Sequence, residues 1–297
     1  MGWTRGLIMK DFKLAVCQMS VTDDKQKNIE KSVCMIREAA ANGAELVVLP
    51  EIFNCPYDTK CFSSYAESYP GLTSNAMMGI AKDLGIYLLA GSIPEIDGSK
   101  IYNTAYFYDR NGHMIARHRK MHLFDIDIDG GQYFKESDVL TPGDDFTLVN
   151  TDLGCIGIGI CYDVRFPEYF RILSIRGAEM VLLPAAFNMT TGPLHWEISL
   201  RMRALDNQIF MVGASSARDV NSSYVSYANS RIIDPWGSII ARTDEKESII
   251  YADIDGSKIE SVRNQLPLIK HLRKDRYNLA CEVRSLVWSD NLNQGLV

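Results

Sequence analysis

The sequence predicts an α/β fold, a four-layer α-β-β-α sandwich built from two similar halves. Three observations predict it. Short apolar runs of strand length alternate with amphipathic stretches of helical length, and the second half of the chain repeats the first. The composition, 46% hydrophobic and 23% charged, is typical of a globular protein. A sheet covered by helices on one face leaves the other face bare, so we expect two such sheets to pack against each other.

The internal repeat is clearest around two buried strands. Residues 43–54 (GAELVVLPEIFN) and 177–188 (GAEMVLLPAAFN) are identical at eight of twelve positions. Residues 86–89 align with 209–212, and the polar turn of 109–117 resembles 234–242. Chance similarity between apolar strands does not explain the shared Gly-Ala-Glu and Phe-Asn flanks. We therefore expect helix, buried strand, helix, buried strand and hairpin in each half.

The individual elements follow from periodicity and from helix stop signals such as Asn42-Gly43 and Gly85. A polar turn at 109–112 predicts a hairpin, and 120–145 lacks a regular pattern. Pro167 is a residue favoured in a first helical turn. In chain order the prediction is strand 14–19, helix 28–41, strand 46–50, helix 76–84, strand 86–90, the hairpin, strands at 146 and 155–160, and a helix from Pro167.

The chain has no linker rich in proline, glycine, serine or charge, so we expect a single domain over residues 12–280. Residues 1–11 are then an N-terminal extension and residues 281–297 a tail with little pattern. The apolar part of the first residues is too short for a secretory signal. Gly6 also stands where a myristoylation motif has serine or threonine.

Charge and cysteine usage exclude several classes of protein. A net charge of -6 and a pI near 5.4 argue against a nucleic-acid binder. No apolar stretch reaches the roughly 18–20 residues that span a bilayer. We expect no metal and no cofactor, because Cys55 and Cys61 form a lone pair without further ligands. Seven cysteines, an odd number, favour free thiols in a reducing compartment, so we expect a cytoplasmic protein.

The repeated halves differ at one position that bears on chemistry. The first strand motif ends Leu-Pro-Glu51, whereas the second ends Leu-Pro-Ala185. A carboxylate at the carboxyl end of a buried strand lies at the rim of the sheet, where α/β folds usually build their sites. The alternative to a catalytic role is that Glu51 is a loop carboxylate that forms an ion pair with a lysine.

Cys161 ends a buried strand and precedes the helix expected from Pro167. Strand, tight turn and helix is an arrangement that exposes a nucleophile and leaves the next backbone N–H free for an oxyanion. We also expect the helix N-terminus to lower the pKa of the thiol. The alternative is a buried structural cysteine. The five histidines form no protease-like signature, and the basic run 117–122 leads into the irregular stretch.

Three separated motifs resemble those of the nitrilase (carbon–nitrogen hydrolase) superfamily across about residues 12–277. They are Leu-Pro-Glu51, His-Arg-Lys120 and Gly-Ile-Cys161-Tyr-Asp. The resemblance implies the four-layer sandwich, usually dimerised so that the sheets continue across subunits. It implies Glu51 as general base, Cys161 as nucleophile, and Lys120 with the Tyr162 backbone N–H as stabilisers of the tetrahedral intermediate. Glu136 stands where a second glutamate is expected.

Within this superfamily the chain looks most like the omega-amidase branch, which hydrolyses the terminal amide of 2-oxoglutaramate and 2-oxosuccinamate. The similar stretches are residues 53–57, 122–127, 162–166, 186–196 and 206–208. A distal carboxylate needs a bidentate cation, and we expect Arg165 to bind it, with hydroxyl donors from Thr191 and Tyr57. The alternative for Arg165 is a surface pair with Glu168. His195 and Trp196 fit either pocket lining or helix packing.

Two departures from the relatives bear on substrate preference. A proline after the 124–127 segment is absent from Asp127-Ile-Asp-Gly-Gly131, and Asn229 replaces a histidine near a later turn. The expected substrate is still a small amide with a distal carboxylate. The expected partner is a second copy of the chain. The alternatives are another amide or an N-carbamoyl amine, then a nitrile, and finally a non-catalytic interaction protein with this fold.

Overall fold

The computed structural model of the protein describes residues 9–129, 133–277 and 279. The strands are β1 Phe12–Gln18, β2 Leu46–Val48, β3 Tyr87–Asp97, β4 Lys100–Tyr108, β5 Met114–Arg119, β6 Asp125–Asp127, β7 Tyr133–Lys135, β8 Thr147–Thr151, β9 Gly154–Ile158, β10 Met180–Ala185, β11 Phe210–Ser215, β12 Arg231–Ile233, β13 Ile239–Arg242 and β14 Ser248–Ile254. The α-helices are α1 Lys25–Ala41, α2 Thr59–Tyr65, α3 Leu72–Leu84, α4 Pro167–Ile175, α5 Gly192–Asn207 and α6 Ser257–Gln265.

Two six-stranded sheets confirm the duplication. Their strand orders are β14-β1-β2-β3-β4-β5 and β13-β12-β11-β10-β9-β8, so β2 corresponds to β10 and the β4–β5 hairpin to β12–β13. In each sheet three central strands are parallel, with an antiparallel hairpin on one side (β4–β5 or β12–β13) and a single antiparallel strand flanking them on the other (β14 or β8). That flanking strand precedes its half in the second sheet (β8) but comes from the end of the chain in the first (β14). Because β14, from the end of the chain, completes the first sheet, the two halves share one core.

The sheets face each other, with α1 and α3 on the outside of one and α4 and α5 on the outside of the other. The layer between the sheets is apolar, as parallel strands covered on both faces require. It includes Leu14, Val16, Val48, Leu89, Ile158, Leu182 and Val212, all buried. A second cluster fills the space between the first sheet and its helices. The predicted four-layer α-β-β-α sandwich is confirmed.

Local capping explains where helices begin and end. The helix α1 starts before the predicted residue 28 because the Asp24 side chain accepts a hydrogen bond from the backbone N–H of Lys27. The helix α3 ends where predicted, since Gly85 adopts a left-handed conformation with φ of 65°. The segment 120–145 is less irregular than expected, because β6 and β7 form a short hairpin.

Residues 1–8, 130–132, 278 and 280–297 lie outside the described residues. They include most of the predicted N-terminal extension, the whole predicted C-terminal tail, and Gly130 and Gly131 of the loop that differs from the relatives. Met9 is buried, and its backbone N–H donates to Glu179 at 3.0 Å. Across the described ranges, no helix has the length and apolar character needed to cross a membrane.

Candidate active site

Glu51 lies in the turn that follows β2, and hydrogen bonds from a neighbouring strand hold the backbone of this turn. Ser92 holds the turn, because its backbone N–H donates to the Pro50 carbonyl at 3.3 Å and its hydroxyl accepts from the Ile52 N–H at 3.0 Å. The backbones approach so closely that a Cβ on Gly91 would lie 1.9 Å from the Pro50 oxygen. Ile52 has a positive φ of 51°, which a β-branched residue rarely adopts. This turn directs the Glu51 side chain into the protein interior, where it is buried.

Lys120 follows β5 and lies between two carboxylates. Its Nζ is 2.9 Å from Oε1 of Glu51, 3.0 Å from Oε1 of Glu136 and 2.9 Å from Oε2 of Glu136. All three side chains are fully buried. Burial lowers the pKa of Lys120, but Glu136 and Glu51 outweigh it and hold the pKa well above its usual value. The ammonium is therefore a permanent charge and cannot serve as a base.

The backbone of the segment 124–136 positions Glu136. The Phe124 N–H donates to Oε2 of Glu136 at 2.6 Å, and the Tyr57 hydroxyl donates to Oε1 at 2.6 Å. Tyr57 also lies 3.3 Å from Oε1 of Glu51. Its hydroxyl thus bridges the two carboxylates, which differs from the predicted contact with a substrate carboxylate. The reason is that Glu136 is the strong acceptor nearest to the buried phenol.

Cys161 occupies a sharp turn between β9 and α4. Its φ is 44°, and residues Cys161–Arg165 form a 3-10 turn before α4 begins at Pro167. The predicted order of strand, turn and helix is confirmed, with this 3-10 turn inserted. Tyr162 takes the second position of the turn, where backbone N–H groups at a helix start lack helical partners.

Asp163 ties this turn to the histidines of the basic run. Its Oδ2 accepts from the Ile160 N–H at 2.8 Å, and its Oδ1 contacts the Nδ1 of His122 at 2.7 Å. His118 lies 3.5 Å from Oδ2. Burial raises the pKa of Asp163, but the hydrogen bonds from His118 and His122 outweigh burial and hold the pKa well below its usual value. Asp163 is thus a charged anchor for the turn that carries Cys161.

The pKa of the Cys161 thiol is well above its ordinary value. Burial is the main cause and the charge of Glu51 the second, while Lys120 and the backbone N–H of Ala186 act in the opposite direction. The prediction that a helix N-terminus lowers this pKa is wrong, because burial beside a carboxylate outweighs it. The thiol is therefore protonated at neutral pH and needs a base when it attacks.

Glu51 has one oxygen available for that proton. Its Oε1 accepts from Lys120 and, at 2.9 Å, from Nδ2 of Asn103. Its Oε2 is buried and has no hydrogen-bond partner in the described part of the chain. The Cys161 thiol is close enough to act on the pKa of this carboxylate, which it lowers. Sequence reasoning missed Asn103. The one available signal was an amide side chain within the apolar run of β4.

A small cavity, here called the acyl cavity, brings Cys161, Arg165 and Thr191 together. The Arg165 guanidinium lies 5.1 Å from the ring of Phe187, and its Nη1 lies 3.0 Å from Nδ1 of His195. Arg165 forms no ion pair with Glu168 within the described residues, contrary to the alternative. The other residues lining the acyl cavity are Phe124, Tyr162, Ala186, Asn188 and Tyr224.

The remaining predicted residues divide between the acyl cavity and the core. The Thr191 hydroxyl donates to Oδ1 of Asn188 at 3.0 Å, so this bond has to break before the hydroxyl can donate to a substrate carboxylate as predicted. Trp196 is fully buried, and its indole N–H donates to the Asn229 carbonyl at 2.7 Å, so it belongs to the packing of α5. His195 instead orients Arg165.

Comparison with known proteins agrees with this geometry. A profile of the carbon-nitrogen hydrolase family matches residues 13–264. Omega-amidase NIT2 of Bos taurus is 44% identical over 271 residues, covering 91% of this chain and 98% of that protein. Hydrolase C26A3.11 of Schizosaccharomyces pombe is 47% identical over 277 residues, covering 92% and 86%. The crystal structure of Saccharomyces cerevisiae Nit3, a member of branch 10 of the nitrilase superfamily, superposes with a TM-score of 0.83 at 40% identity, covering 90% and 98%.

Proposed function

The chain belongs to the carbon–nitrogen hydrolase family, and from that premise we propose that it is an omega-amidase. It hydrolyses the terminal amide of 2-oxoglutaramate and 2-oxosuccinamate to the 2-oxo dicarboxylic acid and ammonia, through a thioester on a cysteine. The observation that carries this proposal is one cavity lined by both a thiol, Cys161, and a guanidinium, Arg165, that forms no ion pair among the described residues. The thiol supplies the nucleophile for an amide, and the guanidinium supplies a partner for a distal carboxylate.

The first half-reaction forms the thioester. Oε2 of Glu51 accepts the thiol proton as the sulfur of Cys161 adds to the amide carbonyl. Lys120, with the backbone N–H of Tyr162, stabilises the negative oxygen of the tetrahedral intermediate. The C–N bond then breaks, and Glu51 returns the proton to the departing nitrogen, which leaves as ammonia. Because Lys120 remains charged, it can act only as an electrostatic donor.

The second half-reaction hydrolyses the thioester with the same groups. Glu51 takes a proton from water, the resulting hydroxide adds to the thioester carbonyl, and the C–S bond breaks with return of the proton to sulfur. Glu136 and Tyr57 do not contact the reacting atoms in this mechanism. They hold Lys120 and Oε1 of Glu51 in place through hydrogen bonds, which leaves Oε2 for the proton transfer.

Replacement of Arg165 by lysine tests the proposed carboxylate contact. We expect Arg165→Lys to raise KM for 2-oxoglutaramate by roughly 10-fold to 100-fold with a smaller change in kcat, because a point charge does not replace a planar two-pronged donor. The control substrate is pentanamide, which lacks the distal carboxylate and should react equally with both forms. An unchanged KM for 2-oxoglutaramate would place the carboxylate elsewhere.

The pKa of Glu51 predicts where activity is lost in acid. Burial raises this pKa, partly offset by the charge of Lys120. Glu51 must be ionised to accept the thiol proton, so kcat/KM falls as the pH drops through this raised pKa. We expect the acid limb of kcat/KM to lie above the ordinary glutamate value of about 4.3. A limb at or below that value, measured with a substrate whose own ionisation is complete, would contradict the assignment of Glu51 as base.

A homodimer is proposed from an exposed apolar strip on α5. Leu194 and Ile198 are 74% and 59% exposed. Met202 on the same helix and Trp236 in the turn between β12 and β13 extend the strip. Residues four apart on a helix share one face, and contiguous apolar surface of this kind marks an interface. We expect Leu194→Asp/Ile198→Asp to halve the mass measured by light scattering. Leu72→Asp, at a leucine on α3 that is 56% exposed, is the control and should leave the dimer intact. A wild-type mass equal to one chain would refute the proposal.

A cytoplasmic location is proposed from the thiols. All six described cysteines are free, and four of them are buried. Free cysteines are typical of proteins kept in a reducing compartment. Cys281, the seventh, lies outside the described residues.

A further inference from the structure

The guanidinium in the acyl cavity has no counter-anion among the described residues. Arg165 ends the 3-10 turn that begins at Cys161, and its guanidinium lies near two aromatic rings. The distance to the ring centroid is 5.1 Å for Phe187 and 5.6 Å for Tyr162. The face of an aromatic ring attracts a cation, but it does not fix the direction in which the N–H groups of that cation point. The rings alone therefore leave the orientation of this two-pronged donor open.

His195 supplies a contact that does have a direction. Its Nδ1 lies 3.0 Å from Nη1 of Arg165, which is a hydrogen-bond distance. The described residues that line the acyl cavity include Arg165 but not His195. His195 can therefore act on a substrate in the acyl cavity only through the guanidinium that it contacts.

This contact defines the state of the His195 ring. A guanidinium has five N–H donors and no acceptor, so Nδ1 of His195 is the acceptor. An accepting Nδ1 carries no proton, which makes His195 a neutral imidazole with its proton on Nε2. A carboxylate in this place would hold Arg165 but would also neutralise it and compete with the substrate carboxylate. A neutral acceptor holds the guanidinium and leaves its charge for the substrate.

The position of His195 is itself fixed by the first turn of α5. Its backbone N–H donates to the carbonyl of Thr191 at 2.8 Å, and Thr191 is the N-cap of the helix. The next residue, Trp196, is fully buried, and its indole N–H donates to the Asn229 carbonyl at 2.7 Å. The turn that carries His195 is thus anchored in the core, so the imidazole is held where it meets Arg165.

We propose that His195 is a positioning residue that orients the Arg165 guanidinium for the substrate carboxylate and so sets the preference for anionic over neutral amides. The inference rests on the proposed omega-amidase function and deepens it. With one N–H bonded to His195, the guanidinium keeps four for a carboxylate, enough for a two-pronged contact. Without the acceptor the guanidinium stays charged but loses its orientation. Binding of the carboxylate then weakens, while the reaction at Cys161 is not affected.

Two substitutions of His195 separate the hydrogen bond from the volume of the ring. His195→Phe keeps a ring but removes the acceptor, and we expect KM for 2-oxoglutaramate to rise by roughly 5-fold to 10-fold with kcat within about 2-fold. In His195→Asn the side-chain oxygen lies two bonds from Cβ, as Nδ1 does, and should restore most of the affinity. KM for pentanamide, which has no carboxylate, should change far less in both variants. His113→Phe, at an exposed histidine before β5, is the matched control and should leave both KM values unchanged.

A double variant shows whether His195 acts through Arg165. Lysine lacks the planar donor that His195 orients, so Arg165→Lys/His195→Phe should have the same KM for 2-oxoglutaramate as Arg165→Lys alone. Four results would each overturn the positioning role: an unchanged KM in His195→Phe, an equal rise in KM for pentanamide, no recovery in His195→Asn, or fully additive effects in the double variant. If the wild-type protein does not hydrolyse 2-oxoglutaramate at all, the proposed function itself has failed.

Discussion

Replacement of Cys161 by alanine is expected to abolish amide hydrolysis while the protein stays folded. Without the sulfur no thioester forms. When several residues act together in one mechanism, loss of the nucleophile alone removes nearly all activity, so kcat should fall by roughly 10⁵-fold or more. Alanine and cysteine bear the same backbone strain at φ of 44°, so the turn gains no new cost. The lost sulfur leaves only a small void beside an existing cavity. We expect the melting temperature to change by less than about 4 °C.

The matched control is Cys155→Ala. Cys155 is also a buried free thiol, and it lies on β9, the strand that leads to Cys161. Its replacement should preserve full activity. Ammonia release by the Cys161→Ala protein above the level of contamination would exclude the covalent mechanism. Equal loss of activity in both variants would indicate that folding, and not the nucleophile, is affected.

Replacement of Lys120 by methionine is expected to have the second-largest effect. It leaves Glu51 and Glu136 buried together without a cation, which costs about 3–5 kcal/mol of unfolding free energy. Activity is lost as well, because the oxyanion loses its charged donor. Without Lys120 the pKa of Glu51 in the folded state rises further above its unfolded value, because the charge of Lys120 is what lowers it in the wild type. Stability is then lost as the pH rises, so the deficit relative to the wild type should be larger at pH 8 than at pH 5.

Removal of one of the two carboxylate charges shows whether the loss of stability in Lys120→Met comes from repulsion between the carboxylates or from lost packing of the lysine side chain. Lys120→Met/Glu51→Gln has a single buried carboxylate, so it should regain part of the unfolding free energy while remaining inactive. Urea unfolding at both pH values measures the difference. A double variant no more stable than Lys120→Met, with no dependence on pH, would mean that charge balance does not stabilise this cluster.

The fold could be predicted from the sequence because its halves repeat. The match of residues 43–54 to 177–188 defines β2 and β10 as equivalent, and the apolar runs on either side define their parallel neighbours. The position of β14 could not be predicted in this way. It is far from β1 along the chain and pairs with it through backbone hydrogen bonds, which leave no pattern in the side chains.

The candidate site, like the fold, could be predicted only in part. The motifs around Glu51, Lys120 and Cys161 located the cluster, and the structure brings these side chains together with Glu136. The role of Tyr57 was not predictable, because an aromatic residue in a loop gives no sign of which carboxylate its hydroxyl reaches. The direction of the Cys161 pKa shift was also missed. It depends on burial and on Glu51, whereas the sequence showed only the helix that follows.

The most direct test of the proposed function is ammonia release from 2-oxoglutaramate, measured beside glutamine, an N-carbamoyl amine and a simple nitrile. We expect a strong preference for 2-oxoglutaramate, because the thiol of Cys161 and the guanidinium of Arg165 line the same small cavity. Turnover of one of the other substrates alone would retain the roles of Glu51, Lys120 and Cys161 but contradict the omega-amidase assignment. No turnover of any of the four would contradict the assignment of a catalytic function.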